Sequence, residues 1–171
     1  MKFKNNLNSL KNINKKSLKD SIKLLKQLDT SLYSKKLKII DNSSISMHFR
    51  HIYDFWNCFY EGLKLSKINY NNRLRDTVLE NNKNEMEIAF NEIILNIDKI
   101  ASQELILIDD LIEPSNQINI KTNIIRELIF LYEHTTHHIY IIRMVMNSLN
   151  IKIEDNYIGY NLSTIKKIKC V

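Results

Sequence analysis

Glycine, proline and cysteine are scarce in this sequence, and each shortage excludes a class of protein. The chain of 171 residues has 2 glycines and 1 proline, so it lacks the turn-forming residues that loop-rich and multi-stranded folds need. Its 2 cysteines, Cys58 and Cys170, are far apart in the chain, which argues against a disulfide scaffold or a zinc ribbon. We therefore expect a mainly helical protein whose thiols are reduced.

Long apolar runs are also absent. The first residues, Met-Lys-Phe-Lys-Asn-Asn, contain no continuous apolar core of the kind that a secretion signal requires. No apolar run approaches the length of about 20 residues that crosses a bilayer. These features predict a soluble cytoplasmic protein without a membrane partner.

The charge of the chain is moderately basic. There are 25 basic and 19 acidic residues, a net charge of +6, and much of the excess lies in residues 2–26 and 166–169. A nucleic-acid-binding protein would gather arginines and aromatic residues on one face, and the middle of the chain has no such pattern. Nucleic-acid binding is therefore not expected.

Four stretches carry apolar residues at the spacing of a helix that buries one side. They lie at about residues 17–32, 44–65, 80–101 and 122–149. Segments 104–109 and 117–121 look like two short strands around Glu113 and Pro114, which predicts a small β-hairpin. The pattern at residues 162–168 predicts a short C-terminal helix.

These elements predict an all-α protein, a four-helix up-down bundle with a small β-hairpin before the last long helix and a short C-terminal helix. Residues 1–16 are rich in lysine and asparagine and are expected to form an N-terminal extension. Residues 17–171 are expected to form a single domain, because no linker divides them.

Three of the 5 histidines lie close together in the last long predicted helix, at His134, His137 and His138. His134 and His138 are four residues apart, so their rings project from the same side of the helix. Two imidazoles one turn apart can share a metal ion; a hydrogen-bonded core pair or a surface pair is the alternative. Thr135 stands where a zinc protease has its glutamate, so the general base of that class is missing.

The second predicted helix offers a third ligand. His48 lies on its apolar stripe and His51 lies beside that stripe, so the spacing alone does not choose between them. Either one, with His134 and His138, would make a three-histidine site that leaves positions for water or substrate.

Other polar residues are candidates for roles near such a site. Arg73 and Arg75 could bind an anion or form an internal salt bridge. Glu127 could accept a hydrogen bond from a ligand imidazole or pair with the neighbouring Arg126. His48 and His137 could act as acid or base groups, or orient the ligands. The candidate catalytic residues are thus His48, His137, Glu127 and Arg75.

Two histidine motifs resemble the DinB-like (YfiT-like) superfamily of metal-binding four-helix bundles. They are Ser46-Met-His48-Phe-Arg-His51-Ile and His134-Thr-Thr-His137-His138. The related domain of ergothioneine-synthesis enzymes shares this ligand pattern. The resemblance starts at about residue 17, leaves the first fifteen or so residues unexplained, and also takes in segment 70–76 with Glu80, Arg126-Glu127-Leu and Ser163-Thr164-Ile165.

The resemblance implies a metal held by His51, His134 and His138, with zinc, nickel or iron as the divalent ion. Members of the superfamily are often homodimers. Similar proteins with known activities are thiol S-transferases that use bacillithiol, mycothiol or glutathione, or thiol-dependent isomerases. We therefore expect a metal-dependent low-molecular-weight-thiol S-transferase, or an enzyme of a related thiol-dependent reaction, acting on a small molecule. The alternative is a non-catalytic bundle that binds a metal or small ligand in stress or detoxification.

Overall fold

The computed structural model of the chain describes residues 2–75, 77–110 and 117–169. Most of this part of the chain is helical, which confirms the prediction of a mainly helical protein. The helices are α1 (Lys2–Gln27), α2 (Thr30–Tyr33), α3 (Ile45–Leu65), α4 (Thr77–Asn81), α5 (Lys83–Ile97), α6 (Ile124–Ser148) and α7 (Leu162–Lys169). The strands are β1 (Lys36–Leu37), β2 (Ser43–Ser44), β3 (Lys67–Ile68), β4 (Glu104–Asp109) and β5 (Ile118–Asn123).

The long helices α1, α3, α5 and α6 contribute most of the core. Helices α1 and α3 each pack against both α5 and α6. Large apolar side chains from three of these helices, among them Trp56, Phe59, Phe90 and Leu131, are fully buried between them. Among the described residues, none of the helices has the length and apolar character of a membrane-spanning segment.

Helix α1 begins earlier than the sequence pattern predicts. The expected boundary lies at residue 17, whereas the helix runs without a break from Lys2. Polar residues occupy inward positions of its middle turns, and they interrupt the apolar stripe. Asn14, for example, is buried and donates its side-chain amide to the Leu128 carbonyl of α6 at 2.9 Å, so the neighbouring helix satisfies part of its hydrogen-bonding capacity.

The third predicted helix, at residues 80–101, is two helices. Asn82 has an extended backbone (φ −127°, ψ 98°) and its side chain accepts hydrogen bonds from the backbone N–H groups of Asn84 and Glu85. It therefore ends α4 and caps α5, as asparagine does at helix N-termini. Helix α5 ends at Ile97, four residues before the predicted end.

The strands around the predicted hairpin pair as β4 antiparallel to β5, from Glu104 opposite Asn123 to Asp109 opposite Ile118. The predicted turn at Glu113 and Pro114 lies outside the described residues. A third strand, β3, pairs parallel with β4 and was not predicted. It is only two residues long and lies in a polar segment, so it has no alternation that a sequence could show. The sheet order is β3-β4-β5.

Candidate metal centre

Two helices that pack against each other carry the histidines. Ser44 caps α3 with its hydroxyl, which accepts a hydrogen bond from the Met47 N–H at 3.3 Å, and Asn123 caps α6 in the same way. Capping by serine and asparagine fixes where each helix starts, and thus where its histidines lie. His48 and His51 project from α3 toward the α6 histidines, and α3 packs directly against α6.

His51, His134 and His138 form a compact group, which we call the histidine trio. The ring centroids are 5.0 Å apart for His51 and His134, 4.5 Å for His51 and His138, and 4.7 Å for His134 and His138. One ring nitrogen from each residue lies within 4.8 Å of the corresponding nitrogens of the other two. The three residues could therefore bind one metal ion, as neutral imidazoles commonly do.

A buried nitrogen of the trio has no hydrogen-bond partner. Nε2 of His134 is shielded from solvent and is unpaired among the described residues. Leaving a buried polar atom unpaired destabilises a fold, so the atom fits a role as a ligand to a metal ion. This observation supports the suitability of the trio independently of the distances.

The electrostatics of the trio favour uncharged rings. Burial lowers the pKa of His51 to about 3, and the His134 ring contributes to the same effect. Burial, followed by the His137 ring, lowers the pKa of His134 to about 4. Burial, followed by the His134 and His51 rings, lowers the pKa of His138 to about 2. Near neutral pH the three rings are therefore uncharged, and the uncharged imidazole is the form that coordinates metals.

His48 lies next to the trio without belonging to it. Its Nδ1 is 3.1 Å from Nδ1 of His138. A neutral imidazole has one N–H and one acceptor nitrogen, so one ring donates to the other. His51 is therefore the third member of the trio, and His48 bonds to His138. Helical spacing alone left open which of the two histidines would be the third ligand.

The remaining catalytic candidates are not members of the trio. His137 is exposed, although its ring is 5.1 Å from that of His138. Arg75 is exposed. Glu127 is fully buried, but it is engaged away from the histidines.

Three groups donate to Glu127. They are the Tyr70 hydroxyl at 2.9 Å, the Thr122 hydroxyl at 2.5 Å and the Arg126 guanidinium at 2.9 Å. No imidazole donates to it within the described chain. Glu127 thus pairs with Arg126, the structural alternative to a bond with a ligand imidazole. Its bonds join α6 to β5 and to the turn at Tyr70.

Aromatic rings surround His134. The Phe55 centroid is 4.0 Å from the His134 centroid, and the Phe130 centroid is 5.7 Å from it. Tyr70 stacks on Phe55 at 5.2 Å. Phe55, Tyr70 and Phe130 also line a cavity of about 300 Å³. No sequence pattern indicates this cluster, because its members come from three separate segments.

Sequence reasoning also missed a buried charge network beside the trio. The Arg50 guanidinium donates to the carboxylates of Asp54 and Glu80, which links α3 to α4. The spacing of Arg50 and Asp54, four residues apart on a helix, is a signal that could have identified the first of these pairs.

Comparisons of the chain with family models, with curated proteins and with solved structures find no match. The geometry of the histidine trio and its neighbours therefore carries the functional conclusion.

Proposed function

We propose that the chain is a metal-dependent enzyme of the DinB-like superfamily that holds one divalent cation with His51, His134 and His138. The observation that carries this proposal is the convergence of three unprotonated imidazoles from α3 and α6, with ligand nitrogens within 4.8 Å of one another. The orphaned Nε2 of His134 supports it.

The arrangement of the helices is compatible with the four-helix up-down bundle of that superfamily. Helices α1 and α3 each pack against α5 and α6, as neighbours in a square of four helices do. Metal sites in such bundles are built from side chains of facing helices. We include the bundle, the β-hairpin, homodimer formation and a cytoplasmic location in this proposal.

The donor set suits thiol chemistry. Three neutral ligands leave the charge of zinc, nickel or iron uncompensated, so a bound ion would supply the Lewis acidity that stabilises a low-molecular-weight thiol as its thiolate. Thr135 offers no carboxylate to activate water, which disfavours peptide hydrolysis. His48 would keep the proton of the His138 ring on a defined nitrogen, which orients that ring.

The reaction we propose is transfer of bacillithiol, mycothiol or glutathione to a small electrophile. The sulfur forms a bond to an electrophilic carbon, and that carbon releases a leaving group such as chloride together with its electron pair. The thiol proton passes to solvent. The residues of the chain bind and orient the two reactants, which lowers the entropic part of the barrier.

The metal content of the purified protein tests the proposal. We expect about one zinc, nickel or iron per chain in the wild type and far less in His134→Ala. His137→Ala is the matched control, since it removes an exposed imidazole from the same helix and should retain the metal. Equal metal content in the wild type and His134→Ala would refute the site.

A conjugation screen then tests the activity. The three thiols are each combined with 1-chloro-2,4-dinitrobenzene, with and without the metal-loaded protein. Conjugation above the uncatalysed rate that is absent in His134→Ala supports the transferase.

The aromatic rings packed on His134 favour a second candidate, a non-catalytic protein that binds a metal or small ligand. Phe55 and Phe130 cover part of the His134 ring, which would restrict access by two reactants. A protein that retains its metal but conjugates none of the three thiols would agree with this candidate and contradict the transferase.

A further inference from the structure

Arg73 lies beside the histidine trio. Its guanidinium carbon is 4.9 Å from the centroid of the Phe55 ring. The same ring packs against His134 at 4.0 Å and against His51 at 4.9 Å. A cation and two of the three proposed ligands therefore share one aromatic neighbour.

One buried donor of Arg73 is unpaired among the described residues. Its Nη1 group donates to the Tyr70 carbonyl at 2.8 Å, while its Nε is buried and has no hydrogen-bond partner among residues 2–75, 77–110 and 117–169. A guanidinium has five N–H donors in a planar fork, and a buried donor without an acceptor is unfavourable. No described residue supplies an acceptor to this Nε, so the guanidinium is suited to an acceptor from a bound ligand.

Arg73 differs in this respect from two other arginines near the site. Arg50 is paired with Asp54 and Glu80, and Arg126 is paired with Glu127. No ion pair among the described residues includes Arg73. Asp54 acts on Arg73 at longer range and favours its charged form, but that carboxylate is bonded to Arg50.

The positive charge of Arg73 affects the pKa values of two members of the trio. After burial and a neighbouring imidazole, Arg73 is a further cause of the lowered pKa of both His51 and His134. Three neutral imidazoles provide no negative charge to balance a divalent ion, and Arg73 adds another positive charge. With a divalent ion bound, the site would combine two kinds of positive charge with no carboxylate in the ligand set, which favours an anionic ligand.

We propose that Arg73 and the histidine trio together form a binding site for the carboxylate of a small organic molecule. This inference rests on the proposed metal site and names the class of ligand that it takes. The planar guanidinium fork matches the two oxygens of a carboxylate. The aromatic rings of Phe55 and Tyr70 suit an organic anion better than a strongly hydrated inorganic one.

The test uses cobalt(II), whose visible absorption changes when a ligand enters its coordination sphere. The cobalt-loaded wild type, Arg73→Gln and Arg75→Gln are each titrated with acetate and, separately, with neutral imidazole. Arg75→Gln is the matched control, because it removes the same charge from an exposed residue two positions away. Imidazole is uncharged, so its binding to cobalt measures access to the metal and does not depend on the charge of Arg73.

We expect Arg73→Gln to raise the Kd for acetate about tenfold or more. Its affinity for imidazole should stay within about twofold of the wild type, and its affinity for cobalt should be equal or higher because a positive charge near the trio is removed. All the affinities of Arg75→Gln should stay within about twofold of the wild type. An acetate affinity that is unchanged in Arg73→Gln would overturn the carboxylate site. A parallel loss of imidazole binding, or an equal loss in Arg75→Gln, would overturn it as well.

The outcome separates this inference from the metal site itself. Cobalt binding without any spectral response to acetate overturns the carboxylate site alone. A wild type that binds no cobalt overturns both. If Arg73→Gln does not fold, Arg73→Lys decides, since lysine keeps the charge and lacks the fork; acetate should then bind about threefold more weakly or worse, and unchanged binding overturns the inference.

Discussion

Each ring of the histidine trio has a pKa well below the 6.5 of an ordinary imidazole, chiefly because burial disfavours the charged form. In the unfolded chain these rings would take up protons as the pH falls through 6.5, whereas in the folded protein they do so only near pH 4 and below. The unfolded state therefore binds more protons in this interval, and the folded state loses stability as the pH falls.

We expect the free energy of unfolding of the metal-free protein to fall by about 1 to 3 kcal/mol between pH 7 and pH 5, a range reduced for the partial exposure of the rings. Urea denaturation in the presence of a chelator measures it. The carboxylates of Asp98 and Asp110, whose pKa values are lowered below 3.8, titrate outside this range. His138→Gln should show a shallower dependence, and equal stability of the wild type at pH 7 and pH 5 would contradict the prediction.

His48 gives a second prediction at this scale. Its Nδ1 is bonded to Nδ1 of His138; by accepting the proton of that nitrogen, His48 would leave Nε2 of His138 for the metal. Losing such a partner weakens metal binding by about 10- to 100-fold. We expect His48→Ala to bind zinc more weakly by this factor, in competition with a chelating dye. His48→Gln, whose amide can still hydrogen-bond, should recover part of the affinity. His137→Ala should bind zinc like the wild type; if it weakens as much as His48→Ala, the orienting role is wrong.

At the scale of single residues, the sequence pattern predicts that His134 and His138 lie on one face of α6, but it does not predict which residues contact the buried groups around them. The spacing of His134 and His138 reveals a shared face, because helical geometry links residues four apart. The partners of Glu127 cannot be found in this way. Tyr70 is distant in sequence, and only the tertiary fold brings its hydroxyl to the buried carboxylate.

At the scale of elements, α3 meets β3 at Gly62. A Cβ atom at this position would lie 2.6 Å from Cγ1 of Ile68 and 2.7 Å from the Lys67 carbonyl oxygen. Both distances are too short for real contacts, and one of the atoms belongs to the backbone. Glycine is thus required here by close approach of a helix to a strand.

We expect Gly62→Ala to reduce the free energy of unfolding by about 1 to 3 kcal/mol because of overpacking. The higher helix propensity of alanine, about 1 kcal/mol, should offset only part of the loss. Urea denaturation measures the change, and Glu61→Ala, at an exposed neighbouring position, should stay within about 0.5 kcal/mol of the wild type. A Gly62→Ala protein more stable than the wild type would refute the close contact.

The helices could be predicted in type, while their ends could not. Periodic apolar residues identify the four long segments, because each must bury one side. Helix α1 is longer than the sequence pattern predicts, because Asn14 and other buried polar residues interrupt its apolar stripe. The acceptor of the Asn14 amide in α6 becomes visible only in the folded chain. Strand β3 is held by pairing with β4, a long-range contact that no local pattern reports.

At the scale of the whole molecule, the proposed ligands come from helices that are far apart in sequence, so the trio exists only in the folded chain. An ion that binds the folded state alone stabilises it by mass action. At a zinc concentration of about 100 times Kd, we expect the Tm to rise by about 5 to 10 °C. Differential scanning calorimetry measures the shift. His134→Ala should show little change, and an equal shift in both proteins would place the zinc elsewhere.

The three-stranded sheet joins the two helices that carry the trio. Strand β3 follows α3 after one residue, Ser66, and β5 continues directly into α6; both strands flank β4. The end of α3 and the start of α6 therefore cannot move apart without breaking strand pairing. This preorganisation transfers the entropic cost of assembling the ligands to the folding step, so that capture of an ion would need rotation of side chains and little displacement of the backbone.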